Sequence, residues 1–170
     1  METILQHTFK WLATAQHSLH RILDSSLAPL VKKLGGIEEI CIMSARGILG
    51  LFFIYFGLDK FVGYSDTAIY MSSFGVTDLL LPMVILLEVG GGIALLVGWR
   101  LKMVAGLLAG FTILAALVFH SDFSEQVQTI LFMKNMAIAA GLLLFVAVGA
   151  GQLSLDAQKA KKTRKPKKTK

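Results

Sequence analysis

Three ionisable side chains lie inside long apolar stretches of the sequence, where a charge needs a partner or a task. Glu88 is the only charged residue between positions 79 and 98, and Arg46 and Lys134 each lie in another apolar stretch. An ionised carboxylate within membrane hydrocarbon costs about 2.5 kcal/mol or more on permissive scales. We therefore expect an intramembrane ion pair. It either fixes the helices relative to each other or lines a polar pocket for a quinone, a proton path or a small substrate.

The choice of partner for Glu88 rests on depth along the helices. At about 1.5 Å per residue, both Arg46 and Lys134 come within side-chain reach of Glu88. A guanidinium can bind a carboxylate through two hydrogen bonds, which favours Arg46 and leaves Lys134 as the alternative. Lys60 is predicted to extend outward from the rim, and Asp59, opposite Arg46 on its helix, could contact Lys134. The predicted intramembrane polar cluster comprises Arg46, Asp59, Lys60, Glu88, Lys134 and Asn135.

Glycines share helix faces with these charges. Gly50 and Gly57 follow Arg46 at helical spacing, and Gly91 and Gly92 lie on the face of Glu88. Small residues let membrane helices approach closely, and buried polar groups need such an interior. The predicted helix-packing glycines are Gly50, Gly57, Gly91, Gly92, Gly106, Gly110 and Gly141.

Composition indicates the elements that must position these residues. With 55% hydrophobic and 16% charged residues, the chain is too apolar for a soluble domain of its length of 170 residues. Four stretches, at about 40–62, 79–98, 103–119 and 130–150, are long enough to cross a bilayer as helices. We predict an all-α fold, an integral membrane four-helix bundle whose four-span domain covers residues 37–157.

The chain outside the spans is basic at both ends. Residues 1–36 are predicted to form an amphipathic helix on the cytoplasmic membrane face and a linker, or else a cytosolic helix packed on a partner protein. Residues 158–170 are predicted to be a disordered polybasic tail that contacts anionic lipid rather than nucleic acid. The loops at 63–78 and 121–129 contain no Lys or Arg. The positive-inside rule then places both termini in the cytoplasm.

Few residues suit a metal or a redox cofactor. Cys41 is the only cysteine, which excludes an internal disulfide, a Cys-x-x-Cys redox pair and a thiolate metal cage. His120 is the only histidine near a span, so a haem held by two facing imidazoles is not expected. No metal site and no cofactor is predicted, apart from a quinone as the candidate ligand of a pocket.

Four groups of residues follow in order along the predicted spans. They are Arg46 with Gly57-Leu-Asp-Lys60, Glu88-Val-Gly-Gly91 with Gly98-Trp-Arg100, Lys134-Asn135, and Gly149-Ala-Gly151 with Ser154-Leu-Asp156. Over about residues 40–157 the chain resembles the DoxX family of small four-span membrane proteins, especially its bacterial inner-membrane branch. The shared polar positions would be Arg46, Lys60, Glu88, Lys134 and Asp156.

The resemblance implies a bacterial inner-membrane protein and gives no catalytic residue. Some members are similar to the membrane subunit of a thiosulfate:quinone oxidoreductase, and others look like membrane anchors in complexes with superoxide dismutase and a sulfurtransferase. We therefore expect an accessory or anchoring subunit of a membrane oxidoreductase, not catalytic on its own, with a quinone-accessible pocket near Arg46 and Glu88. The alternatives are a small-solute or proton carrier that uses Glu88, and a structural scaffold that recruits a cytosolic partner. Either a homo-oligomer or a membrane or soluble oxidoreductase is the expected protein partner.

Overall fold

The computed structural model describes residues 36–163, which form helices and connecting turns with no strand among them. Its helices are α1 (Gly36–Val62), α2 (Tyr64–Ser73), α3 (Leu81–Val97, after a 3₁₀ turn at Asp78–Leu80), α4 (Leu101–Phe119), α5 (Gln126–Val148) and α6 (Leu155–Thr163). The chain divides into two compact units, Met1–Ile40 and Cys41–Lys170. Only the start of α1 is described in the first unit. The amphipathic helix predicted before residue 36 and the tail after residue 163 lie outside the described residues.

Four helices are long and apolar enough to cross a membrane, as the sequence predicts. They are Gly36–Val62, Asp78–Val97, Leu101–Phe119 and Gln126–Val148. Large apolar side chains such as Ile48, Leu86, Leu114 and Leu144 are exposed on their outer faces. A surface of that kind suits lipid rather than water. The prediction of an all-α fold with four spans is therefore confirmed.

The interior joins α3, α4 and α5 with one face of α1. Leu95, Leu108 and Leu142 are fully buried, one from each of the three helices, and Phe53 of α1 packs into the same cluster. Ala105 and Ala109 of α4 are also buried. Their short side chains let neighbouring helices lie close, because association in lipid depends on packing contacts.

Helices α1 and α3 touch through glycine backbones. A Cβ atom added to Gly92 would lie 2.6 Å from the carbonyl oxygen of Gly50, and one added to Gly50 would lie 2.8 Å from the carbonyl oxygen of Gly92. Further along, a Cβ on Gly57 would lie 2.7 Å from Val89 Cγ2. These contacts fix which residues of α1 and α3 lie level with each other.

The bundle has two different ends, here called the α2 end and the α6 end. At the α2 end, α1 is followed by α2 and the 3₁₀ turn, and residues 120–125 join α4 to α5. At the α6 end, a short turn joins α3 to α4, and the segment after α5 leads into α6. The turn contains two residues in the left-handed region, Gly98 with φ 67° and Arg100 with φ 46°.

Helix α6 is a correction to the predicted disordered tail. The tail was predicted to start at residue 158, but residues 158–163 continue a helix that begins at Leu155. The Ser154 hydroxyl accepts a hydrogen bond from the Ala157 amide at 3.1 Å, as a helix cap does. Lys161 and Lys162 lie in the last turn, where positive charge favours the helix dipole. A helix as short and polar as α6 cannot be recognised from long apolar stretches in the sequence, and the same holds for α2.

Candidate functional site

Glu88 lies inside the bundle and pairs with Lys60. The Glu88 side chain comes from the middle of α3 and the residue is 5% exposed. Lys60 Nζ lies 2.9 Å from Glu88 Oε2 and donates a hydrogen bond to Oε1 at 3.0 Å. It also donates to the Phe56 carbonyl oxygen at 3.3 Å, one turn back along α1. The buried acid is therefore matched by a cation from the neighbouring helix.

This pairing corrects two predictions, that Arg46 binds Glu88 and that Lys60 extends outward. Helical side chains lean toward the N-terminus of their helix, so Lys60 reaches back into the bundle from the last turn of α1. A Cβ added to Gly57 would lie 3.0 Å from Glu88 Cβ, so Gly57 lies level with Glu88 and Lys60 follows about one turn later on α1. Lys134, the alternative partner, makes no ion pair with Glu88 either among the described residues.

Arg46 instead binds the α6 end. Its Nη2 donates to the carbonyl oxygens of Leu153 at 2.9 Å and Leu96 at 3.3 Å, and its Nη1 donates to that of Ala150. Leu96 lies eight residues after Glu88, which is about 12 Å along α3. The guanidinium, in a residue only 3% exposed, therefore holds the end of α3 to the segment that follows α5.

Two residues beside Arg46 complete this arrangement. A Cβ on Gly98 would lie 2.7 Å from Arg46 Nη1 and 2.5 Å from Ser154 Cβ, so the turn needs glycine for space as well as for its positive φ. Asp156 of α6 accepts hydrogen bonds from the backbone amides of Arg100 and Leu101, both at 2.9 Å. Its carboxylate thus satisfies the first amides of α4. Three of the sequence motifs meet at this end.

A cavity of about 310 Å³ lies toward the α2 end, next to the Lys60–Glu88 pair. Its aromatic walls are Phe52, Phe53, Phe56, Tyr70, Phe111 and Phe119. Its polar lining is Lys60, Thr67, Glu88, Thr112, His120, Lys134 and Asn135. The volume is at the small end of the range for small-molecule sites, and apolar walls with a few polar groups are typical of them.

Lys134 lies at the edge of this cavity without an acidic partner in the described chain. Its side chain is exposed, and Nζ lies 5.8 Å from the centroid of the Phe56 ring. Lys60 Nζ lies at the same distance from that ring. A cation–π contact contributes about 0.5–2 kcal/mol, less than the cost of about 2.5–3.5 kcal/mol for a lysine deep in a membrane helix. The contact alone does not offset that cost.

The other polar groups of the cavity differ in how they are satisfied. Thr112 donates to the Leu108 carbonyl oxygen at 2.7 Å, and His120 Nδ1 lies 2.8 Å from Gln128 Oε1. Partial burial of Tyr70, on α2 outside the spans, raises the pKa of its hydroxyl above 10.0, so that group stays neutral at physiological pH. Asp59 is exposed, and its alternative contact with Lys134 is not formed in the described structure.

The predicted packing glycines separate into two groups. Gly50, Gly57, Gly91 and Gly92 have neighbours that a Cβ would meet at 3.0 Å or less. Gly106 and Gly141 leave ordinary space, since the nearest atoms to an added Cβ would be Val146 Cγ2 at 3.8 Å and Leu49 Cδ1 at 3.7 Å. For Gly110 the prediction is not met within residues 36–163, because it is exposed and a Cβ there would meet no atom of these residues within 4 Å.

No group of three or more metal-ligating side chains occurs within residues 36–163. The cavity nevertheless contains residues that hydropathy and charge did not single out. Phe56, Thr67, Tyr70 and Phe119 belong to it, two of them from α2. A four-residue spacing from Phe52 to Phe56 to Lys60 on α1 was the available signal for the first of these.

Comparison with known proteins decides the family. The family model described as DoxX matches residues 41–121. The inner membrane protein YqjF of Escherichia coli K12 is 43% identical over 120 residues, which cover 71% of this chain and 92% of the relative. The chain belongs to the DoxX family. The inner membrane protein YphA of the same organism is 31% identical over 129 residues, covering 72% and 92%. No solved structure matches the chain.

The DoxX match covers part of both polar sites. Arg46, Lys60 and Glu88 lie within the matched residues, whereas Lys134, Asn135 and Asp156 follow them. The two relatives are inner membrane proteins, and four apolar helices are present here. The protein is therefore a multi-pass inner-membrane member of the DoxX family, as predicted.

Proposed function

We propose that this DoxX protein is an accessory or anchoring subunit of a membrane oxidoreductase and that its cavity receives a quinone. The observation that carries the proposal is the aromatic cavity of about 310 Å³ beside the buried Lys60–Glu88 pair. A quinone ring is flat and apolar with carbonyl acceptors. Aromatic walls suit such a ring, and Lys60 and Asn135 supply donors for its oxygens.

The oxidoreductase partner follows from the family resemblance rather than from the cavity. The exposed apolar faces of α1 and α5 leave room for a membrane partner or a second copy of the chain. We also propose that both termini face the cytoplasm, since the loops at the α2 end carry no basic residue. The lysine-rich C-terminal segment would then meet the anionic lipid of that leaflet.

The test is saturable binding of decylubiquinone to the protein purified in mild detergent, with a variant that fills the cavity. Ala115 lines the cavity, whereas its neighbour Leu114 is exposed on the outer face of α4. We expect Ala115→Phe to weaken binding about tenfold or more, because the added ring occupies the space of the ligand. Leu114→Phe adds a ring to the same helix and should bind as the wild type does.

Two results would contradict the proposal. One is wild-type protein that shows no saturable uptake beyond partition into empty micelles. The other is equal binding by the two phenylalanine variants, which would place the quinone outside this cavity.

A further inference from the structure

The cavity has more positive than negative charge. Its charged lining residues are Lys60, Glu88 and Lys134. Lys60 and Glu88 neutralise each other at 2.9 Å. Lys134 flanks the Phe56 ring but makes no ion pair with the described acidic residues of this end, which are Asp59, Asp66, Asp78, Asp122 and Glu125. One positive charge at the cavity edge is therefore unmatched within the described chain.

A second donor lines the same cavity, one position after Lys134 on α5. Asn135 is half-buried and lines the cavity, and no hydrogen bond from its side chain to another described residue is formed. An amide nitrogen carries two donor hydrogens and an ammonium carries three. Lys134 and Asn135 thus offer adjacent donors to a group that accepts several hydrogen bonds.

The other lining residues limit the kind of molecule that can carry this acceptor group. Rings such as Phe56, Phe111 and Phe119 wall a space of about 310 Å³, enough for one ring-sized body. A carboxylate is flat, carries one negative charge and only accepts hydrogen bonds, which matches one surplus cation and an amide donor. A phosphate monoester carries a larger charge than the cavity can match.

We propose that the cavity binds an apolar carboxylate dissolved in the membrane, with its carboxylate against Lys134 and Asn135 and its body between the aromatic rings. The inference concerns the cavity of the proposed function but does not depend on quinone binding. Because the space holds one ring-sized body, the carboxylate and a quinone would exclude each other. The carboxylate would then regulate access of a quinone to the same cavity.

The experiment compares two probes that share an octylphenyl body, one with a charged and one with an uncharged head group. The first, 4-octylbenzoate, is an anion near neutral pH, and the second, 4-octylbenzamide, is its uncharged counterpart. Each is titrated into full-length protein in nanodiscs of zwitterionic lipid, with empty nanodiscs measuring partition into lipid. We expect wild-type protein to bind the benzoate about tenfold more tightly than the amide.

Three variants test which charge makes the protein bind the benzoate more tightly than the amide. Lys134→Met should remove the preference while leaving binding of the amide unchanged, because methionine keeps an apolar stem without the ammonium. Lys134→Arg should retain the preference, since the charge remains. Lys102→Met is the matched control, because Lys102 lies at the α6 end, where it donates to the Ala147 carbonyl oxygen at 3.1 Å.

The outcomes separate this inference from the proposed function. Equal binding of the two probes by wild-type protein would overturn the inference, as would a preference that survives in Lys134→Met. A Lys134 side chain that simply extends to lipid phosphates would give equal binding. If decylubiquinone still binds in either case, the quinone proposal stands. If none of the three molecules binds saturably, both fail.

Discussion

Glu88 and Lys60 form a partly buried pair in which the buried carboxylate depends on the lysine. Removing one partner of such a pair leaves an uncompensated charge, which costs more than the pair contributes when intact. Lys60 also has a side chain that is 26% exposed, so its ammonium can reach polar surroundings when Glu88 is absent. A carrier that protonates Glu88 in each cycle would have to break this pair each time. The pair therefore favours a fixed site over a transport cycle.

We expect substitutions of Lys60 and Glu88 to have non-additive effects on the free energy of unfolding. Lys60→Met should lower the free energy of unfolding by about 1–3 kcal/mol, because it leaves the Glu88 carboxylate in an apolar setting. Glu88→Gln should lower it by less, because the Lys60 ammonium can then reach polar surroundings. The double variant should lose less than the sum, with a coupling free energy of about 1–3 kcal/mol. Unfolding titrations in detergent measure all four proteins.

Arg46 supplies the control for this cycle. Its guanidinium binds carbonyl oxygens at the α6 end, away from Glu88, so Arg46→Met and Glu88→Gln should be additive within about 0.5 kcal/mol. Coupling between Arg46 and Glu88, together with additivity of Lys60 and Glu88, would show that the assigned pairing is wrong.

Helices α1 and α3 are set against each other by glycine backbones. The carbonyl oxygen of Gly50 occupies the space that a side chain on Gly92 would need. That contact fixes the offset between the two helices, and the offset decides which cation meets Glu88. Packing of small residues thus selects the electrostatic partner.

Substitution by alanine, which adds one methyl group, distinguishes a glycine in close contact from a glycine in open space. Gly92→Ala should lower the free energy of unfolding by about 1–3 kcal/mol, because its Cβ would lie 2.6 Å from a backbone oxygen and α1 must move. Gly110→Ala, in the middle of α4 with open space around it, should be neutral or stabilising by up to about 1 kcal/mol. Thermal unfolding in detergent compares the two variants. Equal gains in stability would mean that helix propensity, not the α1–α3 contact, governs the effect.

The spans could be predicted from sequence because hydrocarbon thickness and hydropathy determine them almost alone. The partner of Glu88 could not, because depth counted from the ends of apolar stretches assumes that all helices start at the same level. Here Gly57 lies beside Val89, and Lys60 leans back toward Phe56. The cavity could not be predicted either, because some of its lining residues come from α2. The ten residues of that helix, Tyr64–Ser73, are too few and too polar to be recognised as a membrane span.

The two ends of the described molecule are built differently. At the α6 end, Arg46 and Asp156 join α3, α4 and the segment after α5 through hydrogen bonds to backbone groups. At the α2 end, a cavity lies between aromatic side chains, and Lys134 at its edge makes no ion pair with a described acidic residue. A hydrogen-bonded end and an end with a cavity would suit the proposed subunit, which stays anchored while it exchanges a small molecule.

Orientation of the molecule can be measured by labelling single cysteines. In a Cys41→Ser background, Ser124→Cys at the α2 end should react with a membrane-impermeant maleimide in intact cells. Gln158→Cys on α6 should react only after the cells are opened, because basic flanks are retained in the cytoplasm. The opposite labelling pattern would place the cavity on the cytoplasmic side.

The hydrogen bonds of Arg46 also have a consequence for synthesis. Its carbonyl acceptors lie 50, 104 and 107 residues later in the chain. A ribosome releases the first apolar helix long before it has made the last of these acceptors. Biogenesis of the α6 end must therefore wait until translation has passed Leu153, and a nascent chain cut short before that point would leave the Arg46 side chain in the bilayer without its full set of carbonyl acceptors.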